Sequence, residues 1–184
     1  MSENPPAPGA VATERLDLRP VHLDDLDALH TINRDPEVWR HQPAGRHTGI
    51  AQTRDWIERA AARWEEEGSG YWTARLRTTG EVVGVGGVQV QGRGHWNLYY
   101  RLAPAHWGHG YATELSRAAI DAAHRRRPEL PVFAWIHAHN TGSRAVAQRL
   151  GLIDHGLRLD PFLRELLHLH ADRPQPEERL TGPN

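Results

Sequence analysis

The sequence predicts a single α+β domain built on a mixed, mostly antiparallel sheet. Seven segments show the alternating or continuous apolar pattern that is typical of strands, and four others show helical spacing. The length of 184 residues suits one domain with a sizeable core, and 39% hydrophobic and 24% charged residues are ordinary for a globular protein. We therefore expect a sheet of about seven strands with about four helices, and we find no internal repeat.

The first half of the chain supplies three strands and two helices. Residues 16–20 alternate as a first strand, and Leu26, Leu29 and Ile32 mark one face of a first helix. A second amphipathic helix runs from Ile50 to Trp64 and stops near Gly68. Strands at 71–76 and 81–91 follow, joined as a hairpin by a Thr-Gly turn, and glycines inside the second strand indicate a bulge or a closely packed neighbour.

The second half begins with an aromatic strand at 96–102, which leads through a glycine-rich turn into a helix over 111–126. Residues 131–137 form a continuous apolar run that is typical of a strand buried on both faces. Asn140 is placed to cap a short helix over 144–150 that ends at Gly151. Strands at 152–159 and 163–170 close the sheet.

The two ends of the chain have a different composition from the domain. Residues 1–12 are rich in proline and alanine, and residues 172–184 are polar, so we expect both segments to be disordered. The folded domain then spans 13–171.

Charge and composition exclude several classes of protein. A formal net charge of -1, from 22 basic and 23 acidic residues, predicts no binding to nucleic acid or to anionic membranes. The absence of cysteine excludes both disulfides and a thiol nucleophile. No segment has the pattern of a secretory signal or of a membrane-spanning helix, so we expect a cytoplasmic protein.

The segment 102–114 (Leu-Ala-Pro-Ala-His-Trp-Gly-His-Gly-Tyr-Ala-Thr-Glu) carries the strongest functional signal. Gly108 and Gly110 permit a sharp turn or close approach of a ligand, and the helix start that follows presents unpaired N–H groups to an anion, most plausibly phosphate. A P-loop requires a lysine, and the chain contains none. A dinucleotide fingerprint is a weak match, because Thr113 stands where its third glycine belongs.

This segment resembles the acyl-CoA pyrophosphate loop of the GNAT superfamily, particularly of its RimJ/RimL-like branch of N-acetyltransferases. A second match, Asn140-x-x-Ser143-x-x-x-Ala147-x-x-x-Gly151-Leu152, resembles the segment after the family's fifth strand. The resemblance covers about 14–169. It implies a GNAT-like sheet that splays between its fourth and fifth strands, with the pantetheine arm of the cofactor in the gap.

The resemblance also implies which residues bind the co-substrate, acetyl-CoA or another acyl-CoA. Backbone groups of Tyr100, Arg101 and Leu102 would contact the pantetheine arm, and Asn140 would contact it from the other side unless it is only a helix cap. The pyrophosphate would be held by the Thr113 hydroxyl and by backbone N–H groups of Gly108, His109, Gly110, Tyr111 and Ala112.

Catalysis in such a site is direct attack of an amine on a thioester, which needs a route for a proton to the leaving thiolate. By the resemblance, Ala147 occupies the position of the tyrosine that often supplies this proton, and Asn97 occupies an often acidic position of the fourth strand. Trp107 replaces the Gln or Arg that commonly opens the loop, although tryptophan is common there in the RimJ/RimL-like branch. Ser143 is then the candidate proton donor. A hydroxyl that only satisfies backbone in the first helical turn is the equal alternative.

The general base is predicted only as a set of candidates. Asp160 and Glu165 lie in the final loop and strand, which close the acceptor side in the family. In a strand, Glu165 would share a face with Leu167, which predicts partial burial. His41 and His47 lie between the first two helices, where acceptors often enter. A water chain, or a lowered amine pKa in a desolvated cleft, would replace them all.

Thirteen histidines raise the question of a metal. The pairs are His106 with His109, His137 with His139, and His168 with His170, but nothing in the sequence brings two pairs together, as a zinc site would require. We therefore predict no metal.

The sequence is thus interpreted as an acyl-CoA-dependent N-acyltransferase, with acetyl as the expected group and a protein N-terminal amine as the favoured acceptor. A small amine (an aminoglycoside, a polyamine or an amino acid) is the alternative enzyme acceptor. A CoA-binding module that has lost catalysis is a third interpretation, suggested by Ala147 and Asn97. A homodimer is compatible with the resemblance.

Overall fold

The computed structural model describes residues 8–92 and 94–176, and within them eight strands form one sheet that carries four α-helices. The strands are β1 (Val11–Ala12), β2 (Leu16–Pro20), β3 (Tyr71–Leu76), β4 (Val82–Gln91), β5 (His95–Leu102), β6 (Val132–Ile136), β7 (Ile153–Leu159) and β8 (Leu166–Ala171). The helices are α1 (Leu26–Asn33), α2 (Ile50–Glu67), α3 (Tyr111–Arg126) and α4 (Thr141–Arg149). The predicted α+β class and the predicted bounds of the third helix are confirmed. No described helix is both long enough and apolar enough to cross a bilayer.

The sheet divides where β5 meets β6. Its order is β1-β2-β3-β4-β5-β6-β8-β7, and every neighbouring pair is antiparallel except β5 and β6. These two strands pair only at Trp96 with Val132 and at Asn97 with Phe133, after which β5 continues alongside β4 alone. The predicted splay between the fourth and fifth predicted strands is therefore present, and it leaves one edge of β5 unpaired within the described sheet.

Helices cover both faces of the sheet and hold the splayed strands in place. Leu115 of α3 is fully buried in the main core, and Ile57 of α2 is fully buried in a second core on the other side. Burial of each such side chain stabilises the fold by roughly 1.5–3 kcal/mol. The helix α3 approaches β4 so closely that a Cβ on Gly86 would lie 2.4 Å from Leu115 Cδ2, which explains the glycine in this strand.

Both ends of the domain extend further than predicted. Val11 and Ala12, expected to be disordered, pair with β2 as a short edge strand. Asp172, expected to begin a disordered tail, accepts the Val132 N–H at 3.0 Å and lies 2.6 Å from His124 Nε2. These partners are remote in sequence, so local composition does not reveal them. The remaining expected disorder, at 1–7 and 177–184, lies outside the described residues.

The last predicted strand begins three residues too early. Asp160 Oδ1 accepts the backbone N–H groups of Phe162 at 2.7 Å and of Leu163 at 2.9 Å, and Arg164 has a left-handed φ of 58°. These contacts make a turn, so strand pairing starts only at Leu166. Glu165 therefore does not alternate with Leu167, and its expected partial burial is wrong, because the residue is exposed.

Candidate active site

The splay opens onto a cleft of about 580 Å³. Its walls are the end of β5, the glycine loop, the start of α4 and the segment after α1. Among the lining residues are Tyr100, Arg101, Gly108, Gly110, Thr113, Asn140 and Ser143, all of them predicted from the sequence, and His41 lines it as well. The fold thus brings the two halves of the sequence motif to the same cavity.

The glycine loop turns into α3 through two left-handed residues, with φ of 80° at Gly108 and 82° at Gly110. A side chain in this conformation costs about 1–2 kcal/mol, so glycine is needed for the turn. None of the backbone N–H groups from Gly108 to Ala112 donates to another residue of the described chain. Together with the positive end of the α3 dipole, these groups can hold a phosphate.

Thr113 supplies an independent indication that this loop can bind an anion. Its Oγ1 is buried and has no hydrogen-bond partner among the described residues. A buried hydroxyl without a partner costs about 1–3 kcal/mol, which a phosphate oxygen at the helix start would offset. The loop therefore fits the pyrophosphate of a CoA molecule.

A clamp between Arg15 and Glu114 holds the loop against the first strands. Arg15 Nε donates to Glu114 Oε2 at 2.7 Å, its Nη1 donates to the His109 carbonyl at 2.8 Å, and its Cζ lies 4.9 Å from the centre of the Tyr111 ring. Burial raises the pKa of Glu114, but hydrogen bonds from Thr13 and Arg15 outweigh burial and hold it below its ordinary value. The sequence motif contained Glu114, but no local signal identified Arg15.

The start of α4 places Ser143 beside a phenol. Asn140 Oδ1 accepts the Ser143 N–H at 3.1 Å, so Asn140 is a helix cap and α4 begins at Thr141, three residues before the predicted start. Burial raises the pKa of Tyr100, and a side-chain hydrogen bond with Ser143 acts in the opposite direction. Ala147 on α4 has no hydroxyl, but Tyr100 on β5 brings a phenol into the same cleft, whereas the sequence predicts only a backbone contact for this residue.

The predicted base candidates lie near the end of β6, and they differ in their surroundings. Asp160 is 4% exposed, and its Oδ1 is occupied by the two backbone donors of the turn. The Glu165 side chain is half exposed, and its Oε2 lies 3.8 Å from His137 Nδ1. Of the two carboxylates, Glu165 is therefore the more exposed, and it accepts no backbone N–H group of the described residues.

The two predicted histidines have separate places. His41 lines the cleft and contacts His137, with 5.8 Å between ring centres. Burial, together with the charge of Arg101, lowers the pKa of His41 to about 4, so its ring is neutral at pH 7. His47 is buried and its Nδ1 lies 2.9 Å from Thr53 Oγ1, in the packing between α1 and α2 rather than in the cleft.

The histidine pairs do not converge within 8–92 and 94–176, where no group of three or more His, Asp or Glu side chains is arranged to hold a metal ion. His106 instead lies 3.1 Å from Glu81, and His168 lies 3.1 Å from Asp154.

Comparison with known proteins identifies the family that uses this loop. The family profile described as "Acetyltransferase (GNAT) domain" matches residues 15–153. The chain belongs to the GNAT acetyltransferase family.

Relatives of this GNAT protein agree with that assignment. It is 30% identical over 150 residues to the "Uncharacterized N-acetyltransferase p20" of Bacillus licheniformis, covering 80% of this chain and 84% of that protein. It matches the structure of an acetyltransferase from Agrobacterium tumefaciens with a TM-score of 0.71 and 26% identity, over 92% of this chain and 96% of the other. A further fold match, with a TM-score of 0.72 and 18% identity over 88% and 96% of the chains, is a RimL ribosomal L7/L12 alpha-N-protein acetyltransferase in complex with coenzyme A.

As a GNAT N-acetyltransferase, the protein uses an acyl-CoA co-substrate and an amine acceptor. Two departures from the family pattern now have structural positions. Asn97 is the last residue of β5 that pairs with β6, directly before the splay. The Trp107 indole donates to the Leu102 carbonyl at 2.9 Å and so ties the start of the glycine loop to the end of β5.

Proposed function

We propose that the protein moves an acetyl group from acetyl-CoA directly to the α-amine of a protein N-terminus, as expected for the RimJ/RimL-like branch. The observation that carries this proposal is the continuous cleft, which joins the glycine loop to the unpaired edge of β5 and to the Ser143 hydroxyl. Because the chain has no cysteine, direct attack by the amine accounts for the reaction without a thioester on the enzyme.

Different residues of the cleft bind different parts of the acetyl-CoA molecule. Backbone N–H groups from Gly108 to Ala112 and the Thr113 hydroxyl hold the pyrophosphate. Backbone groups of Tyr100, Arg101 and Leu102 bind the pantetheine arm as a neighbouring strand would. The Asn140 side chain retains its NH₂ donors for the arm, since its carbonyl oxygen is the one that caps α4.

Acetyl-CoA supplies a thioester, and the chain supplies the proton transfers. The amine nitrogen forms a bond to the acetyl carbon, the carbon–sulfur bond breaks, and the thiolate takes a proton from Ser143. The Tyr100 phenol, which lines the same cleft as Ser143, replaces that proton. General acid help of this kind contributes roughly 10²–10⁴-fold in rate. The presence of two hydroxyl groups in the cleft, those of Ser143 and Tyr100, supports catalysis over a CoA-binding module, because Ala147 has no proton to donate.

For the base we propose Glu165 with His137 ahead of Asp160. The carboxylate of Glu165 is free of backbone donors and lies close to the imidazole, whereas Asp160 is engaged in its turn. Asp160 retains an electrostatic role, because it is one of the charges that act on His137. A water bridge between the acceptor nitrogen and Glu165 serves the same purpose.

The surface beside the cleft supports a polypeptide acceptor. The turn that holds Asp160 and the adjoining ends of β7 and β8 expose large apolar side chains, each between 41% and 66% accessible: Leu157, Leu159, Phe162, Leu163 and Leu166. Such a surface suits an extended chain that enters beside His137. The fold neighbour that carries coenzyme A is itself described as acting on the α-amine of a ribosomal protein.

The test is thiol release from acetyl-CoA with a panel of peptides bearing free N-termini and a panel of aminoglycosides, polyamines and amino acids. We expect turnover of peptides that is lost when their N-terminus is blocked. Turnover of small amines alone would show that the acceptor is a small amine and not a polypeptide. CoA binding without any turnover would favour the noncatalytic module.

A further inference from the structure

Arg101 lines the cleft, and its charge acts on His41 and on His137, which lies beside the base candidate Glu165. Its guanidinium carbon lies 4.2 Å from the centre of the Trp39 ring and 4.9 Å from that of Tyr99. Both rings contact the guanidinium, and they keep the side chain in one orientation. Because the rings contact the group without accepting hydrogen bonds from it, its N–H groups can donate to other partners.

Of the three guanidinium nitrogens of Arg101, one donates a hydrogen bond and two have no hydrogen-bond partner among the described residues. The Nη1 atom donates to the Tyr100 carbonyl at 3.1 Å. The Nε atom is buried without a partner, and Nη2 makes no hydrogen bond within the described residues. The Nε and Nη2 donors of a guanidinium point in parallel and match the two oxygens of one carboxylate. An arginine held by its other nitrogen is therefore prepared for a bidentate anion.

No carboxylate of the described chain lies within ion-pair distance of Arg101. Glu37, which lines the same cleft, lies 3.9 Å from Arg40, and Glu165 lies 3.8 Å from His137. Burial lowers the pKa of both His41 and His137, and the charge of Arg101 lowers it further. A half-buried, unpaired cation is costly unless a ligand neutralises it.

We infer that Arg101 is a binding site for a carboxylate carried by the acceptor, close to its reacting amine. This inference rests on the proposed acetyl transfer and narrows its acceptor to amines with a neighbouring carboxylate, such as a peptide with an acidic residue next to its N-terminus. The same carboxylate chemistry would come from an acidic acyl group on CoA, and the experiment distinguishes these two sources.

The first measurement compares matched acceptors with acetyl-CoA. Peptides that begin Ser-Glu and Ser-Gln, otherwise identical, are assayed with the parent, Arg101→Gln and Arg101→Lys. We expect the parent to prefer the acidic peptide by about 10- to 100-fold in kcat/KM, the preference to vanish in Arg101→Gln, and part of it to return in Arg101→Lys. Arg19→Gln, which removes the same charge from an exposed side chain on β2, is the control and should keep the preference.

A second measurement does not depend on turnover. Calorimetry compares binding of N-acetyl-Glu-amide and N-acetyl-Gln-amide to the CoA-loaded protein and to the CoA-loaded Arg101→Gln variant. Tighter binding of the acidic ligand to the parent alone supports the site even if no peptide is acetylated, so failure of the proposed function and failure of this inference give different results.

Two results would overturn the inference. One is equal use and equal binding of the acidic and neutral ligands by the parent, which would leave Arg101 as a packing residue between two rings. The other is an Arg101-dependent preference for succinyl-CoA over acetyl-CoA with a neutral peptide, without any preference for the acidic peptide. That result would assign the carboxylate to the acyl group.

Discussion

Replacement of Gly110 by valine tests whether backbone groups of the glycine loop hold the cofactor. With φ at 82°, any side chain at this position strains the backbone by about 1–2 kcal/mol, and a Cβ would lie 3.3 Å from Arg15 Nη2, within the clamp on the loop. Rotation of the loop peptides to relieve this strain turns their N–H groups away from the phosphate. Loss of two hydrogen bonds to a charged phosphate, each worth about 1.5–3 kcal/mol, predicts CoA binding that is roughly 10²–10⁴-fold weaker.

The matched control is Gly80→Val. Gly80 has a φ of 75° and open space around its Cβ, but it lies in the hairpin between β3 and β4. Both variants should lose similar thermal stability, and only Gly110→Val should lose CoA affinity by calorimetry. If folded Gly110→Val binds CoA as tightly as the parent, the pyrophosphate does not sit on this loop and the cofactor assignment is incorrect.

Four further substitutions probe the cleft and the predicted base candidates. Ser143→Ala should lower kcat by roughly 10²-fold or more with little change in CoA affinity, because it removes the proton donor; unchanged single-turnover rates would return Ser143 to its place as a capped helix residue. Glu165→Gln should move the acid limb of the kcat/KM profile, whereas Asp160→Asn should mainly lower the melting temperature by weakening its turn, and a shifted limb in Asp160→Asn alone would reverse their roles. The native pKa of His41 is about 4 against an ordinary 6.5, so its contribution to stability is complete above pH 6.5 and is lost as the pH falls toward 4. Since the ring is partly exposed, we expect the free energy of unfolding, measured with urea, to fall between pH 6.5 and 4 by only about 1–2 kcal/mol less in His41→Gln than in the parent. The same pH dependence in parent and variant would contradict this prediction.

The features that were predicted correctly depend on residues close together in the chain. The turn at Gly108 and Gly110 and the bounds of α3 follow from backbone conformation and from the 3.6-residue period, which act within one or two helical turns. The errors arose where a distant group or a side-chain bond intervened. Asp160 captured two backbone N–H groups and turned the expected start of the last strand into a loop, and pairing with β2 ordered Val11.

The sequence by itself therefore determined the fold class, the glycine loop and the family. Each of these depends on short contiguous segments, in which hydrophobic periodicity and backbone conformation allow few alternative structures. The tertiary structure alone decided the chemistry of the cleft. Arg15 meets Glu114 across 99 residues of sequence, and Tyr100 and Ser143 line one cleft because β5 and α4 border the same splay. The Arg101 guanidinium contacts rings from two separate segments. Long-range packing sets those distances, and no spacing within the sequence encodes them.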